Sequence, residues 1–131
     1  MVGSIYIGNR KNSAPAAKVS REKKMILLSR AEETVLLAIL GLGENAYGVS
    51  ILEYIQEKTG MKWSLAQTYD PLKKLVLKGF VEKNLGEPTP ERGGRAKSLY
   101  RLTKQGLEAL SEIRRVQDSL WIALPKGALI Q

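Results

Sequence analysis

Cysteine and histidine are both absent from this 131-residue chain. Without thiols there is no disulfide framework and no thiolate site for zinc or an iron–sulfur cluster. Without imidazole the commonest general base, the Ser–His and Cys–His nucleophile systems and the usual transition-metal ligand are gone as well. Aspartate is nearly missing: Asp70 and Asp118 stand beside eleven glutamates, and no convergent acid–base or metal-binding group can be named among them. These absences argue against an enzyme and call for no cofactor. Long apolar runs are lacking too. The longest, Val35 to Leu42, falls far short of the ~18–20 residues that span a bilayer. Near the start, Ile5, Tyr6 and Ile7 give way at once to Gly8, Asn9 and Arg10, unlike the apolar core of a secretory signal. No membrane association is expected, and a cytoplasmic location follows by default.

Acidic charge is in short supply. Twenty-one lysines and arginines face 13 acidic residues, for a net +8, which favours a polyanionic partner. The surplus is unevenly placed: +5 over residues 1–24, −3 over 25–61, +6 over 62–104 and zero over 105–131. A chain that alternates in this way presents basic patches rather than a uniform solubilising charge.

Residues 1–24 combine Gly3, Gly8 and Pro15 with weak apolar periodicity, and are expected to be a flexible basic arm. The ordered domain is expected over residues 25–106, followed by a C-terminal helix and tail over 107–131. Ser29 and Glu32 have the spacing of a capping box and open a first helix over Arg30–Leu42. Val35, Leu36, Ile39, Leu40 and Leu42 make it too continuously apolar for a surface helix, so it is expected to be buried at the centre. A second helix from Gly48 to about Lys58 places Val49, Leu52 and Ile55 at helical spacing with Ile51 alongside, and Gly60 stops it.

Ser64 caps a third helix that Gly79 closes. Leu65, Tyr69, Leu72, Leu75 and Val76 are expected on its inner face, with Gln67, Asp70, Lys74 and Lys78 opposite. Pro71 leaves two solutions: one helix kinked at the proline, which is favoured, or a fresh helix capped by Asp70. Phe80–Leu85 and Ser98–Leu102 alternate as strands, and the two prolines and three glycines between Gly86 and Lys97 make a long basic hairpin tip. Thr103 caps a last helix to about Leu124. In it Gly106, Ile113 and Leu120 share one heptad position and Leu110, Gln117 and Leu124 the other, flanked by Val116 and Trp121.

Three helices followed by a two-stranded ribbon are the winged helix-turn-helix arrangement, mainly α with a small β-hairpin, here with a C-terminal helix appended. The charge map agrees with that topology: the −3 segment is the first two helices, and the +6 segment is the third helix plus the wing. The third helix is expected in the major groove of double-stranded DNA and the wing on the flanking backbone or minor groove.

The stretches LLAILGLGENAYGVSILEYI (36–55), TYDPLKKLVLKGFV (68–81) and GGRAKSLYRLTKQG (93–106) resemble the PadR-type winged-helix transcriptional regulators. The likeness is carried by Tyr47-Gly48, by Tyr69 with Leu72 and Leu75, and by Tyr100-Arg101-Leu102-Thr103 with Gly106. It implies a homodimeric DNA-binding regulator, often a repressor, that pairs through its C-terminal helix. The 25 residues after Gly106 are few for the larger effector-binding bundle of some members, so a small-molecule effector is not indicated. The competing class is a winged helix that binds RNA or a protein partner, since phosphate contacts carry no sequence information.

The candidate DNA-binding residues are Lys62, Ser64, Gln67, Thr68, Tyr69, Lys73, Lys74 and Lys78 around the third helix, with Arg92, Gly93, Gly94, Arg95 and Lys97 in the wing. Gln67 has the chemistry for a bidentate contact with adenine, and the lysines for neutralising phosphates. Their plain alternative is a solvated helix face. Gly93-Gly94 lets backbone approach a groove closely, and it lacks the spacing and Lys-Ser/Thr ending of a nucleotide-binding loop. Leu110, Ile113, Gln117, Leu120, Trp121 and Leu124 are the candidate dimerisation residues, with Gln117 as the polar register-setter.

Overall fold

A computed structural model describes residues 26–88 and 96–129. The basic arm and the wing-tip residues Arg92, Gly93, Gly94 and Arg95 lie outside the described residues. Along the chain come α1 (Arg30–Leu42), a 3₁₀ turn (Gly43–Asn45), α2 (Gly48–Thr59), α3 (Leu65–Leu77), β1 (Val81–Pro88), β2 (Ala96–Leu102) and α4 (Lys104–Ile122). The winged-helix order expected from the sequence is the order found.

Local signals set the helix ends. Ser29 N–H donates to Glu32 Oε1 at 2.8 Å and Glu32 N–H to Ser29 Oγ at 3.1 Å, a reciprocal capping box at the start of α1. Gly60, at φ 71°, closes α2 in the left-handed region. Thr103 Oγ1 accepts from Gly106 N–H at the start of α4 and donates to the Gly79 carbonyl at 2.7 Å, tying that helix to the end of α3. A Cβ on Gly106 would overlap the Phe80 carbonyl oxygen, so glycine is what lets α4 come this close to the turn into β1.

The three helices enclose one core, in which Leu36, Ile39, Ile51, Ile55, Leu72 and Leu75 are the largest fully buried side chains. Each contributes roughly 1.5–3 kcal/mol of burial free energy relative to exposure. β1 and β2 pair antiparallel from Val81↔Leu102 to Leu85↔Ser98, with an irregularity before Pro88↔Ala96. The hairpin thus reaches further toward its tip than expected, by three residues on β1 and two on β2, while β1 starts one residue later, at Val81. Tyr100 N–H donates to the Ala46 carbonyl at 2.8 Å, fastening the wing's base to the turn before α2.

Three expectations are corrected by how the helices are rotated. α1 is not buried all round: Val35, Leu36, Ala38 and Ile39 face inward, while Leu37 is 55% and Leu40 49% exposed. The inner stripe of α2 is Ile51 with Ile55, and Val49 lies at the surface. In α3 the inner residues are Thr68, Pro71, Leu72 and Leu75, whereas Leu65 and Tyr69 are exposed. A proline without an N–H sits in the core without leaving a donor unpaired, and α3 runs through it as one helix rather than restarting at Asp70.

Candidate nucleic-acid interface

α3 begins with a second reciprocal box. Ser64 N–H donates to Gln67 Oε1 at 2.9 Å, and Gln67 N–H donates to Ser64 Oγ at 3.1 Å. Gln56 Nε2 donates to the Trp63 carbonyl at 3.0 Å, holding the turn between α2 and α3. Tyr69 lays its phenol over the first turn of α2: a Cβ on Gly48 would overlap the Tyr69 hydroxyl. The angle between the two helices therefore depends on a tyrosine meeting a glycine.

Between α3, the start of α2 and the wing lies an open groove of about 810 Å³. Tyr47, Tyr69 and Tyr100 with Leu72 and Val76 line it, and Lys73, Lys83 and Lys97 stand around it. The Lys97 ammonium rests 4.0 Å from the centroid of the Tyr47 ring, an attraction that fixes the charge at the groove's edge. Burial, and after it the neighbouring Tyr69 phenol, push the Tyr100 hydroxyl above its ordinary 10.0. It is therefore a protonated donor near neutral pH. Lys73 and Lys83 are exposed and carry no ion pair among the described residues.

The expected site residues divide accordingly. Tyr69, Lys73 and Lys97 come together at the groove. Lys62, Ser64 and Lys74 are exposed around the start and outer side of α3. Gln67 is exposed, but its amide oxygen is committed to the cap, so a bidentate grip on adenine is not available without breaking that cap. Two residues are corrected. Thr68 is fully buried and its hydroxyl donates to the Ser64 carbonyl at 3.1 Å, so it faces the core, not a ligand. Lys78 turns back onto buried Glu32, Nζ to Oε2 2.9 Å, and locks the end of α3 to α1. Burial pushes the Glu32 carboxyl up, but hydrogen bonds from Lys78 and Ser29 and the Lys78 charge together outweigh it and hold the group below its ordinary 4.5. Sequence reasoning missed Lys83, whose alternation within β1 put it on the same face as Tyr100 and so toward the groove.

The last helix is corrected in part. Leu110 is 8% exposed and belongs to the chain's own core together with Gly106 and Ala109. Ile113 is half-buried. Beyond it the helix leaves its own domain: Gln117 is exposed, and so are Leu120, Trp121, Ile122 and Leu124, at 62, 54, 84 and 45%.

A family model for PadR-like transcriptional regulators matches residues 36–112, more than half of the chain. The chain belongs to the PadR-like family. The winged-helix arrangement is that of solved family members and their neighbours. A complex structure of RosR from H. salinarum is 26% identical, covering 75% of this chain and 77% of its own, at a TM-score of 0.58. A transcriptional regulator from Clostridium thermocellum is 20% identical over 79% of this chain and 100% of its own, at 0.61. A PadR-like transcriptional regulator from Bacillus cereus is 21% identical over 70% and 84%, at 0.57. The last two likenesses bear on the fold alone. No curated protein matches the sequence. Among the described residues of this PadR-like chain no single helix is long and apolar enough to cross a membrane, and no three acidic side chains gather as a metal would need.

Proposed function

We propose that this PadR-like regulator binds double-stranded DNA sequence-specifically as a homodimer and represses transcription. In this reading α3 enters the major groove and the wing follows the flanking backbone or minor groove. The observation that carries it is the groove between α3 and the wing, rimmed by Lys73, Lys83 and Lys97 beside an outward α3 face free of core duties. Duplex phosphates lie close enough together for such a rim to exchange bound counterions for lysines. Lys62, Ser64, Lys74 and the Tyr69 hydroxyl add backbone contacts around the helix start. Arg92, Gly93, Gly94 and Arg95 are assigned the outer backbone or minor groove from sequence.

Pairing is read from the second half of α4. Leu120, Trp121, Ile122 and Leu124 expose an apolar stretch that is costly in water, and exposed Leu37 and Leu40 on α1 supply a matching apolar face on a second copy. A two-fold dimer then presents two copies of α3 to two half-sites. A dimer seated on an operator excludes other proteins from it, hence repression. No cofactor is called for, no effector is indicated, and the reading places the regulator with cytoplasmic DNA.

Competition decides between duplex and the RNA- or protein-binding alternative. Labelled genomic duplex bound by the full chain should be displaced by unlabelled duplex at ten-fold or more lower concentration than by structured RNA of equal length. Equal displacement by the RNA, or no duplex binding by a dimeric protein, overturns the proposal.

A further inference from the structure

The inner side of α3 is fixed by Thr68, Pro71, Leu72 and Leu75. At 100° per residue, the line opposite them passes along Ala66, Asp70, Lys73 and Leu77, and all four are exposed. Ala66 lies in the first turn and is short, so the helix can sit deep at that point. The next residue on the ridge is Asp70, a carboxylate on the most cationic segment of the chain, with no ion pair among the described residues.

From this placement we infer that Asp70, not Gln67, discriminates bases in each half-site, and that it selects cytosine. The inference rests on α3 being the major-groove helix. A carboxylate only accepts hydrogen bonds, and against phosphates it costs affinity. In the major groove two base edges donate, cytosine N4 and adenine N6. Adenine sets its N7 acceptor beside that amino group, which repels the second carboxylate oxygen, whereas cytosine does not. Gln67, by contrast, lies off the ridge, with its amide oxygen held by Ser64 N–H. Its alternative use would open the helix cap.

The side chain of Asp70 carries no structural task in the fold, so its removal leaves the helix intact and the effect falls on recognition. The sign of that effect is unusual. Losing a negative charge from a cationic surface strengthens binding to any duplex, while losing the only acceptor on the ridge weakens the choice among duplexes. A residue that merely solvates the helix would leave the choice among duplexes unchanged.

The test selects preferred duplexes from a randomised pool, using full-length protein as wild type, Asp70→Ala, Asp70→Asn and Gln67→Ala. Wild type should prefer cytosine at one position of each half-site by about tenfold over other bases. Asp70→Ala should bring that preference to within about twofold while binding random duplex as well as wild type or better. Asp70→Asn should move it toward adenine, which an amide grips at N6 and N7. Gln67→Ala should keep the wild-type pattern. A cytosine preference that survives Asp70→Ala, or one that Gln67→Ala abolishes, overturns this inference and leaves duplex recognition by α3 standing. Failure of the wild type to enrich any duplex overturns both.

Discussion

α3 and α4 are both amphipathic helices with one side in the same core, yet their outward sides differ in kind. The outer side of α3 carries Ala66, Asp70, Lys73 and a single exposed leucine, Leu77, beside Tyr69, with lysines continuing onto the wing. The far half of α4 shows Leu120, Trp121, Ile122 and Leu124 to solvent. A lone exposed leucine among polar side chains is ordinary, whereas water penalises four apolar side chains exposed together. A polar cationic face waits for a polyanion; an apolar face needs cover at all times. On the proposed reading recognition and assembly occupy separate helices, so each can be broken without unfolding the other.

The largest effect is expected from Leu120→Asp combined with Trp121→Asp. Both side chains are exposed on the single chain, so the domain should still fold, with its melting temperature lowered only by loss of the partner, whereas sedimentation should report monomers. Operator affinity should fall about 100-fold or more, because the two half-sites no longer bind as one linked event. A variant that stays dimeric would put the interface elsewhere. Leu110→Ala sharpens the same contrast from inside the core: about 2–5 kcal/mol of stability should be lost in denaturant unfolding, with any loss of dimer following from the fold.

Lys73→Ala and Lys83→Ala are expected to act on all duplexes alike, each lowering the slope of log affinity against log salt by about one. A sequence-dependent loss would make either lysine a base reader instead. The smallest effect concerns the Glu32–Lys78 pair. The folded Glu32 carboxyl titrates below its unfolded value, so the stability it adds is present above pH about 4.5 and is lost as pH falls through the lower folded value. Glu32→Gln should therefore flatten the decline of unfolding free energy below pH about 4.5, while at neutral pH it should be less stable than wild type. An unchanged acid limb would place the titrating group elsewhere.

The element order was legible in the sequence because helix ends are written locally, in Ser29 with Glu32, Ser64, Gly60 and Thr103. Helix rotation was not. Which side of α3 turns inward depends on α1 and α2 as partners, and buried Thr68 and Pro71 look polar or disruptive in isolation. Thr68 satisfies its hydroxyl on the Ser64 carbonyl, and Pro71 has no N–H to satisfy. The same limit governs α4. A heptad seam records that a face is covered, not by whom, so Leu110 in its own core and Leu120 at the surface share one pattern. For the site, Lys73 and Lys97 were readable from charge and topology, whereas the Lys78–Glu32 link spans 46 residues and leaves no local trace.

Hydroxyl-radical footprinting of the full-length protein on its selected duplex tests the central claim most directly. The account predicts two protected half-sites related by a two-fold axis, their centres about one helical turn or a multiple of it apart. With Leu120→Asp and Trp121→Asp the paired pattern should vanish at concentrations that saturate wild type. A single asymmetric footprint, or a symmetric one that survives those substitutions, would contradict the division of recognition and assembly between α3 and α4.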